Sequence, residues 1–170
     1  MIKKYLSLFI IFFTLWISAC DSNVNNHTIQ TKMKDYFFVK KVVDGDTFWV
    51  ENGTEKGLKI RLIGVDAPES RKTGKKEIGY FGKEAKEYLT SLISDKKVKL
   101  ICDVDSLDRY GRTLAYAYLE NGLFINADLV KNGYAVVMTF PPNVKFVDLF
   151  VKLQQEARDK KRGLWGISIQ

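Results

Sequence analysis

Three short β-forming runs, each closed by a turn signal, fill the region from Phe37 to Ile63 and limit what this chain can fold into. Phe37-Phe38-Val39 and Val42-Val43 lead to Asp44-Gly45-Asp46, a turn signal. Thr47-Phe48-Trp49-Val50 follows and ends near Asn52-Gly53, a strong hairpin signal. Leu58 to Ile63 alternates apolar and basic residues, which sets Lys59 and Arg61 on the face opposite Leu58, Ile60 and Leu62. Strands this short cannot each bury a face alone and must share one core.

Helical and β patterns then mix. Phe81, Ala85, Tyr88, Leu89 and Leu92 recur at helical spacing and predict an amphipathic helix over about 82–93. Val98, Leu100 and Cys102 predict a fourth strand, with Cys102 in the core as free cysteines usually are. Leu114 to Leu119 predicts a fifth, turning at Asn121-Gly122 into Leu123-Phe124-Ile125. Ala127 to Asn132 predicts a short helix stopped by Gly133. After Pro141-Pro142, Val147, Phe150, Val151, Leu153 and Ala157 mark a second long helix. The expectation is an α+β, mainly β fold: a small five-stranded barrel with about three helices packed outside it.

Composition narrows the chemistry. The chain has 170 residues, 46% hydrophobic and 28% charged, which excludes a mostly disordered protein and allows one domain with a tail. Two cysteines cannot make a disulfide scaffold or a four-thiolate zinc site. One histidine, His27, excludes any mechanism that needs two. The formal charge of +7 favours an anionic partner.

Residues 1–19 have the parts of a secretory signal: Lys3-Lys4, an apolar run from Tyr5 to Ile17, and the small pair Ser18-Ala19. The run is shorter than the roughly 20 residues a membrane span needs; an uncut N-terminal anchor is the alternative. Ile17-Ser18-Ala19-Cys20 resembles the bacterial lipobox, in which the cysteine is acylated and becomes the first residue of the mature chain; ordinary cleavage is the alternative. The resemblance implies a protein exported and held to membrane lipid through Cys20, facing the periplasm or the exterior. Residues 20–35 are polar and are expected to form a lipidated tether, in which His27 is inert, ahead of a domain at 36–170.

Three patterns carry chemistry: Asp44-Gly45-Asp46-Thr47, Arg61 to Glu69 with Asp66-Ala67-Pro68-Glu69 at its end, and Asp108-Arg109-Tyr110-Gly111-Arg112. Each alone has a plain reading as a turn or a surface arginine. Together they set three acids (Asp46, Asp66, Glu69) and two arginines on loops that a barrel can gather. Two aspartates can hold a hard cation through oxygen. A third carboxylate can take a proton from water. An arginine fork matches two phosphate oxygens and keeps its charge. Such a set can hydrolyse a phosphodiester without histidine, cysteine or serine.

In this order and spacing the three patterns resemble the thermonuclease, or staphylococcal-nuclease-like, family, and the resemblance runs over 37–166. It includes Gly82-Lys83-Glu84-Ala85 and the stretch from Leu129 to Ala135. It implies an OB-fold barrel with helices and Ca²⁺-dependent endo- and exonuclease action on single- and double-stranded DNA and RNA, leaving 3′-phosphates. By motif position, Asp46, Asp66 and the Ala67 backbone carbonyl resemble the metal ligands. Glu69 resembles the general base, and Arg61 and Arg112 the phosphate-binding arginines. Arg109 and Tyr110 match positions lining the nucleotide site. The family's later site tyrosines are not matched; Met138-Thr139-Phe140-Pro141 stands there, with Phe140 available to stack on a base. The chain is expected to act as a monomer. The alternative reading is a non-catalytic OB-fold lipoprotein that binds single-stranded nucleic acid; a structural or scavenging lipoprotein is the remaining one.

Overall fold

Strand β1 (Phe37–Asp44) is long enough to serve two neighbours. The structure, a computed structural model, describes residues 36–72, 74 and 77–166. The start of β1 pairs antiparallel with β5 (Lys97–Ile101), Phe37 opposite Val98. The rest pairs with β2 (Thr47–Val50), Val39 opposite Val50 and Asp44 opposite Thr47. Register shifts between Val39 and Lys41 and between Val42 and Asp44 mark bulges. Bulges bend and twist a strand, and that bend lets β1 turn from one partner to the other.

The other strands complete the circuit. β2 pairs antiparallel with β3 (Leu58–Leu62), Thr47 opposite Arg61. β3 runs parallel to β6 (Thr113–Leu119), with Leu62 opposite Ala115, and β6 returns antiparallel to β5. The order β1-β2-β3-β6-β5 closes into a barrel. The fold is α+β and mainly β, the OB-fold that the strand and turn pattern anticipates. Its interior holds Phe48, Val50, Ile60, Leu62, Val98 and Ala117, all fully or almost fully buried.

Three helices cover the barrel. α1 (Gly82–Ile93) buries Ala85, Leu89 and Ile93, residues four apart on one face, against β1. α2 (Ile125–Lys131) lies on β6, and α3 (Val147–Asp159) packs on α2. An aromatic cluster joins them: Tyr116 meets Phe146 edge-on at 4.6 Å between ring centroids, and Phe124 meets Phe146 at 5.1 Å.

Inside this junction sits Asn126, fully buried on α2. Its Oδ1 accepts a hydrogen bond from the Ala117 N–H at 3.0 Å, and its Nδ2 donates to the Ile63 carbonyl at 2.9 Å. One side chain therefore satisfies backbone groups on β6 and beyond β3 and fixes α2 to both.

Several expectations need correction. Cys102 is exposed, not a core residue. Strand β5 makes its last pairing at Ile101 opposite Tyr116, and the next residues leave the barrel toward Asp103, whose carboxylate accepts from the Tyr116 hydroxyl at 2.8 Å. Leu123 to Ile125 is not a strand: Phe124 makes a single bridge to Tyr118, and Ile125 already opens α2, two residues ahead of the expected start at Ala127. A second sheet was not foreseen, because β4 (Val65–Asp66) and β7 (Val136–Val137) are too short to show a period. Cys20, His27, the signal and the tether lie outside the described residues. Among the described residues no helix is long and apolar enough to cross a membrane.

Asn126→Leu keeps the volume but leaves the Ala117 N–H and the Ile63 carbonyl without their partner. An unsatisfied buried group costs about 1–3 kcal/mol, so this variant should lose roughly 2–4 kcal/mol in urea denaturation. A loss under about 0.5 kcal/mol would show that neither bond matters.

Candidate active site

The β1–β2 turn is squeezed between two other segments. A Cβ on Gly45 would stand 2.6 Å from the Ala67 Cβ and 2.8 Å from the Ala85 Cβ. Only glycine lets the turn lie between the Asp66–Ala67 segment and α1. Asp46 follows in the turn, 5% exposed. Its Oδ1 accepts from Thr47 Oγ1 at 2.8 Å and its Oδ2 from the Ala67 N–H at 2.9 Å. Its backbone carbonyl takes the Leu62 N–H at 3.0 Å. A buried carboxylate is tolerated only when paired and hydrogen-bonded, and Asp46 is both.

Its ionic partner is Arg61, opposite Thr47 in the β2–β3 register. Nη2 of Arg61 lies 3.2 Å from Asp46 Oδ2 and 2.7 Å from Asp66 Oδ1. Nη1 donates to the Leu62 and Val65 carbonyls at 2.8 and 2.6 Å. The alternating face of β3 thus places one guanidinium between two carboxylates, and β4 holds Asp66 against it.

Glu69 sits past this knot. Its carbonyl accepts from the Gly79 N–H at 2.9 Å, and a Cβ on Gly82 would collide with that same carbonyl. The start of α1 therefore rests on the Glu69 backbone. Asp44 braces the segment from the other side: its Oδ1 accepts from the Ser70 N–H at 2.8 Å.

Arg112 arrives on a turn between β5 and β6. Asp108 organises that turn. Its Oδ1 accepts from the Tyr110 and Arg112 N–H groups at 2.8 and 2.9 Å, and its Oδ2 from Arg112 Nε at 2.6 Å. Partial burial opposes the charge on Asp108, but the Arg112 and Tyr110 hydrogen bonds and the Arg112 cation outweigh it and hold its carboxyl below the ordinary value of 3.8. The Tyr110 ring lies beneath two guanidiniums, Arg109 at 4.8 Å and Arg112 at 5.4 Å. Buried Asn143 clamps the preceding loop, accepting from the Asp105 N–H and donating to its carbonyl, both at 2.8 Å.

A cleft of about 710 Å³ unites these parts, with Asp44, Thr47, Glu69, Arg71, Tyr110 and Arg112 in its walls. Asp46, Arg61 and Asp66 adjoin it through Thr47. Arg109 is exposed and reaches the cleft through its stacking on Tyr110. Phe140 is 70% exposed and does not line the cleft. Among the described residues no group of three His, Cys, Asp or Glu side chains forms a metal cage.

Comparison with known proteins agrees with this geometry. The family model described as Staphylococcal nuclease homologue matches residues 59–166. The chain belongs to that family. It is 36% identical over 129 residues to the Thermonuclease of Staphylococcus intermedius, covering 76% of this chain and 75% of that one. It is 36% identical over 149 residues to the Thermonuclease of Staphylococcus hyicus, covering 87% and 81%. Endonuclease YncB of Bacillus subtilis is 34% identical over 130 residues, covering 75% and 60%.

Within this staphylococcal nuclease homologue, sequence reasoning overlooked Asp44, Asp108 and Asn143. Asp44 and Asp108 stand in the quoted motifs, where a turn reading absorbs them. Asn143 follows Pro141-Pro142 and carries no local signal.

The Asp108 hydrogen bonds give a pH signature. With its folded pKa lowered, the contribution of Asp108 is complete above 3.8 and disappears as pH falls through the lower folded value. Hydrogen exchange should show the Tyr110 and Arg112 amides protected at the higher pH and losing protection in acid. In Asp108→Ala both should exchange at least about tenfold faster at any pH. Unchanged protection in that variant would remove Asp108 as the organiser of the turn.

Proposed function

We propose that the protein is a Ca²⁺-dependent nuclease that hydrolyses DNA and RNA to products with 3′-phosphates. Its class, a hydrolase of ester bonds in nucleic acids, rests on its family. The observation that carries the finer reading is the convergence of Asp46 and Asp66 on one point, within 3.2 Å of a single Arg61 nitrogen, beside a cleft that Glu69 and Arg112 line.

The donor set fits a hard cation. Two carboxylates that meet at one nitrogen can share an ion, and here Arg61 neutralises them. Asp46, Asp66 and the Ala67 carbonyl would hold Ca²⁺ and leave the rest of its about six to eight oxygen positions to water and substrate. When bound, the ion supplies localised positive charge against the phosphate. Thiolate and imidazole ligands are missing from the motifs, which disfavours zinc.

The chain's own residues supply the remaining steps. Glu69 takes a proton from a water whose oxygen bonds to phosphorus. The bond from phosphorus to the 5′ oxygen breaks in line, and that oxygen leaves with a proton from solvent. The products are a 3′-phosphate and a 5′-hydroxyl. Arg61 and Arg112 offset charge on the phosphate oxygens as it builds. Asp108 engages Nε of Arg112, and the η nitrogens form the fork that two phosphate oxygens fit. Tyr110 and Arg109 would contact the nucleotide. Phe140, exposed outside the cleft, would reach only a base beyond it.

We extend the proposal to location: export, acylation at Cys20 and attachment to a bacterial membrane lipid, with the domain acting as a monomer. Metabolic labelling with a fatty acid should mark the wild type and not Cys20→Ala; an unlabelled wild type would sink the lipoprotein reading.

The function itself is read by incubating the protein with single-stranded DNA in Ca²⁺ or in chelator. Cleavage is expected only with Ca²⁺. Binding without cleavage in either condition would favour the non-catalytic module. A positioned general base contributes about 10²–10⁴-fold, so Glu69→Gln should lose at least about 100-fold in kcat with its fold intact. Arg112→Lys should lose a similar factor, because lysine lacks the fork. Full activity in either variant would strike that residue from the mechanism.

A further inference from the structure

Trp49 has no role in the chemistry above, yet it occupies an unusual place. Its neighbours Phe48 and Val50 are fully buried in the barrel, so alternation turns Trp49 to the outer face, where it is half-buried. Lys41 on β1 and Lys59 on β3 are its direct partners across the sheet. Their ammonium nitrogens lie 5.9 and 6.0 Å from the indole ring centroid. A row of Lys41, Trp49 and Lys59 therefore crosses three strands.

Beside this row lies a second groove of about 200 Å³, lined also by Arg71 and Lys86. It has four basic side chains in its walls and no carboxylate. Like charges gathered at one concavity repel each other, and an anion placed among them relieves the repulsion. The groove shares Val43, Trp49, Lys59 and Arg71 with the larger cleft, so the two form one continuous track.

We propose that the groove over Trp49 is a strand-binding subsite, which holds a nucleotide of single-stranded nucleic acid beyond the scissile phosphate. The proposal rests on the nuclease reading for the position of that phosphate. Lys41, Lys59 and Lys86 take backbone phosphates while the indole stacks on a base. An aromatic platform beside cations is how single strands are held without sequence preference. The face formed by strands 2 and 3 is also where barrels of this type receive oligonucleotides. A lipid headgroup or a sulfated polymer would satisfy the lysines but would leave the indole without a planar partner.

The test is binding of a fluorescent twelve-residue oligothymidylate to the full chain in chelator, followed by anisotropy, so that no cleavage is needed. Trp49→Ala should weaken binding about tenfold, and Trp49→Phe should recover most of it, because a phenyl ring still stacks. A twelve-residue abasic strand should bind wild type and Trp49→Ala alike. In Lys41→Gln/Lys59→Gln the dependence of log K on log salt should become shallower by about one unit. Circular dichroism reports whether each variant is folded. Equal affinity of wild type and Trp49→Ala for oligothymidylate overturns the subsite. So does an equal loss on the abasic strand, which would mark a charge-only surface for polyanions. Ca²⁺-dependent cleavage by wild type with no Trp49 effect on binding sinks only this subsite. Trp49-dependent binding without any cleavage sinks the nuclease reading and keeps the subsite.

Discussion

The buried Asp46 carboxylate is the joint on which the site depends. It ties the β1–β2 turn to Thr47, to the Ala67 backbone and, through Arg61, to the ends of β3 and β4. A carboxylate at this depth is costly unless every lone pair is used, which makes the arrangement close to all-or-none. Removing Arg61 would leave two carboxylates facing each other, and removing Asp46 would leave the Ala67 N–H and half of the guanidinium without an acceptor. The glycine at 45 belongs to the same joint, since its missing Cβ lets the turn reach Ala67 at all.

Charge is arranged around this joint in layers. The chain is basic as a whole at +7, yet its motifs gather acids at one point. Arg61 neutralises those acids from inside the barrel wall, while Arg71, Lys59 and Arg112 stand on the cleft surface. A polyanion approaching the cleft meets cations first, and the carboxylates lie behind them. The same order lets attraction of the strand and placement of a small cation proceed without competing for the same side chains.

Much of this was legible in the sequence, for identifiable reasons. The alternation from Leu58 to Ile63 fixed which face of β3 carries Arg61, because one face of the strand is buried. Ala85 and Leu89 at helical spacing placed α1. The motif residues Asp46, Arg61 and Asp66 do meet in space, although their spacing alone left each as a plausible turn or surface residue. What escaped was long-range. Asp108 and Asn143 act through backbone hydrogen bonds that leave no periodicity. β4 and β7 pair over two residues each, too few for any pattern. Cys102 was misplaced because alternation continues in sequence past the point where Ile101 ends the pairing with Tyr116.

The two arginines are held by opposite means, and that contrast bears on how a strand would be accommodated. Arg61 projects from a paired strand in mid-sheet and is fastened by two backbone carbonyls and two carboxylates, so its position is set by the barrel. Arg112 sits at the end of an exposed turn whose geometry comes from one side chain, Asp108, with Tyr110 beneath the guanidinium. Local stability follows the density of buried contacts, and the Asp108–Arg112 turn has few of them. The fixed arginine therefore defines where a phosphate would sit relative to the carboxylates. The arginine on the turn can adjust to a charge that appears only as the phosphorus–oxygen bond breaks. A site built from one rigid and one adaptable cation can receive substrates of different backbone shape without rebuilding the part that sets the chemistry.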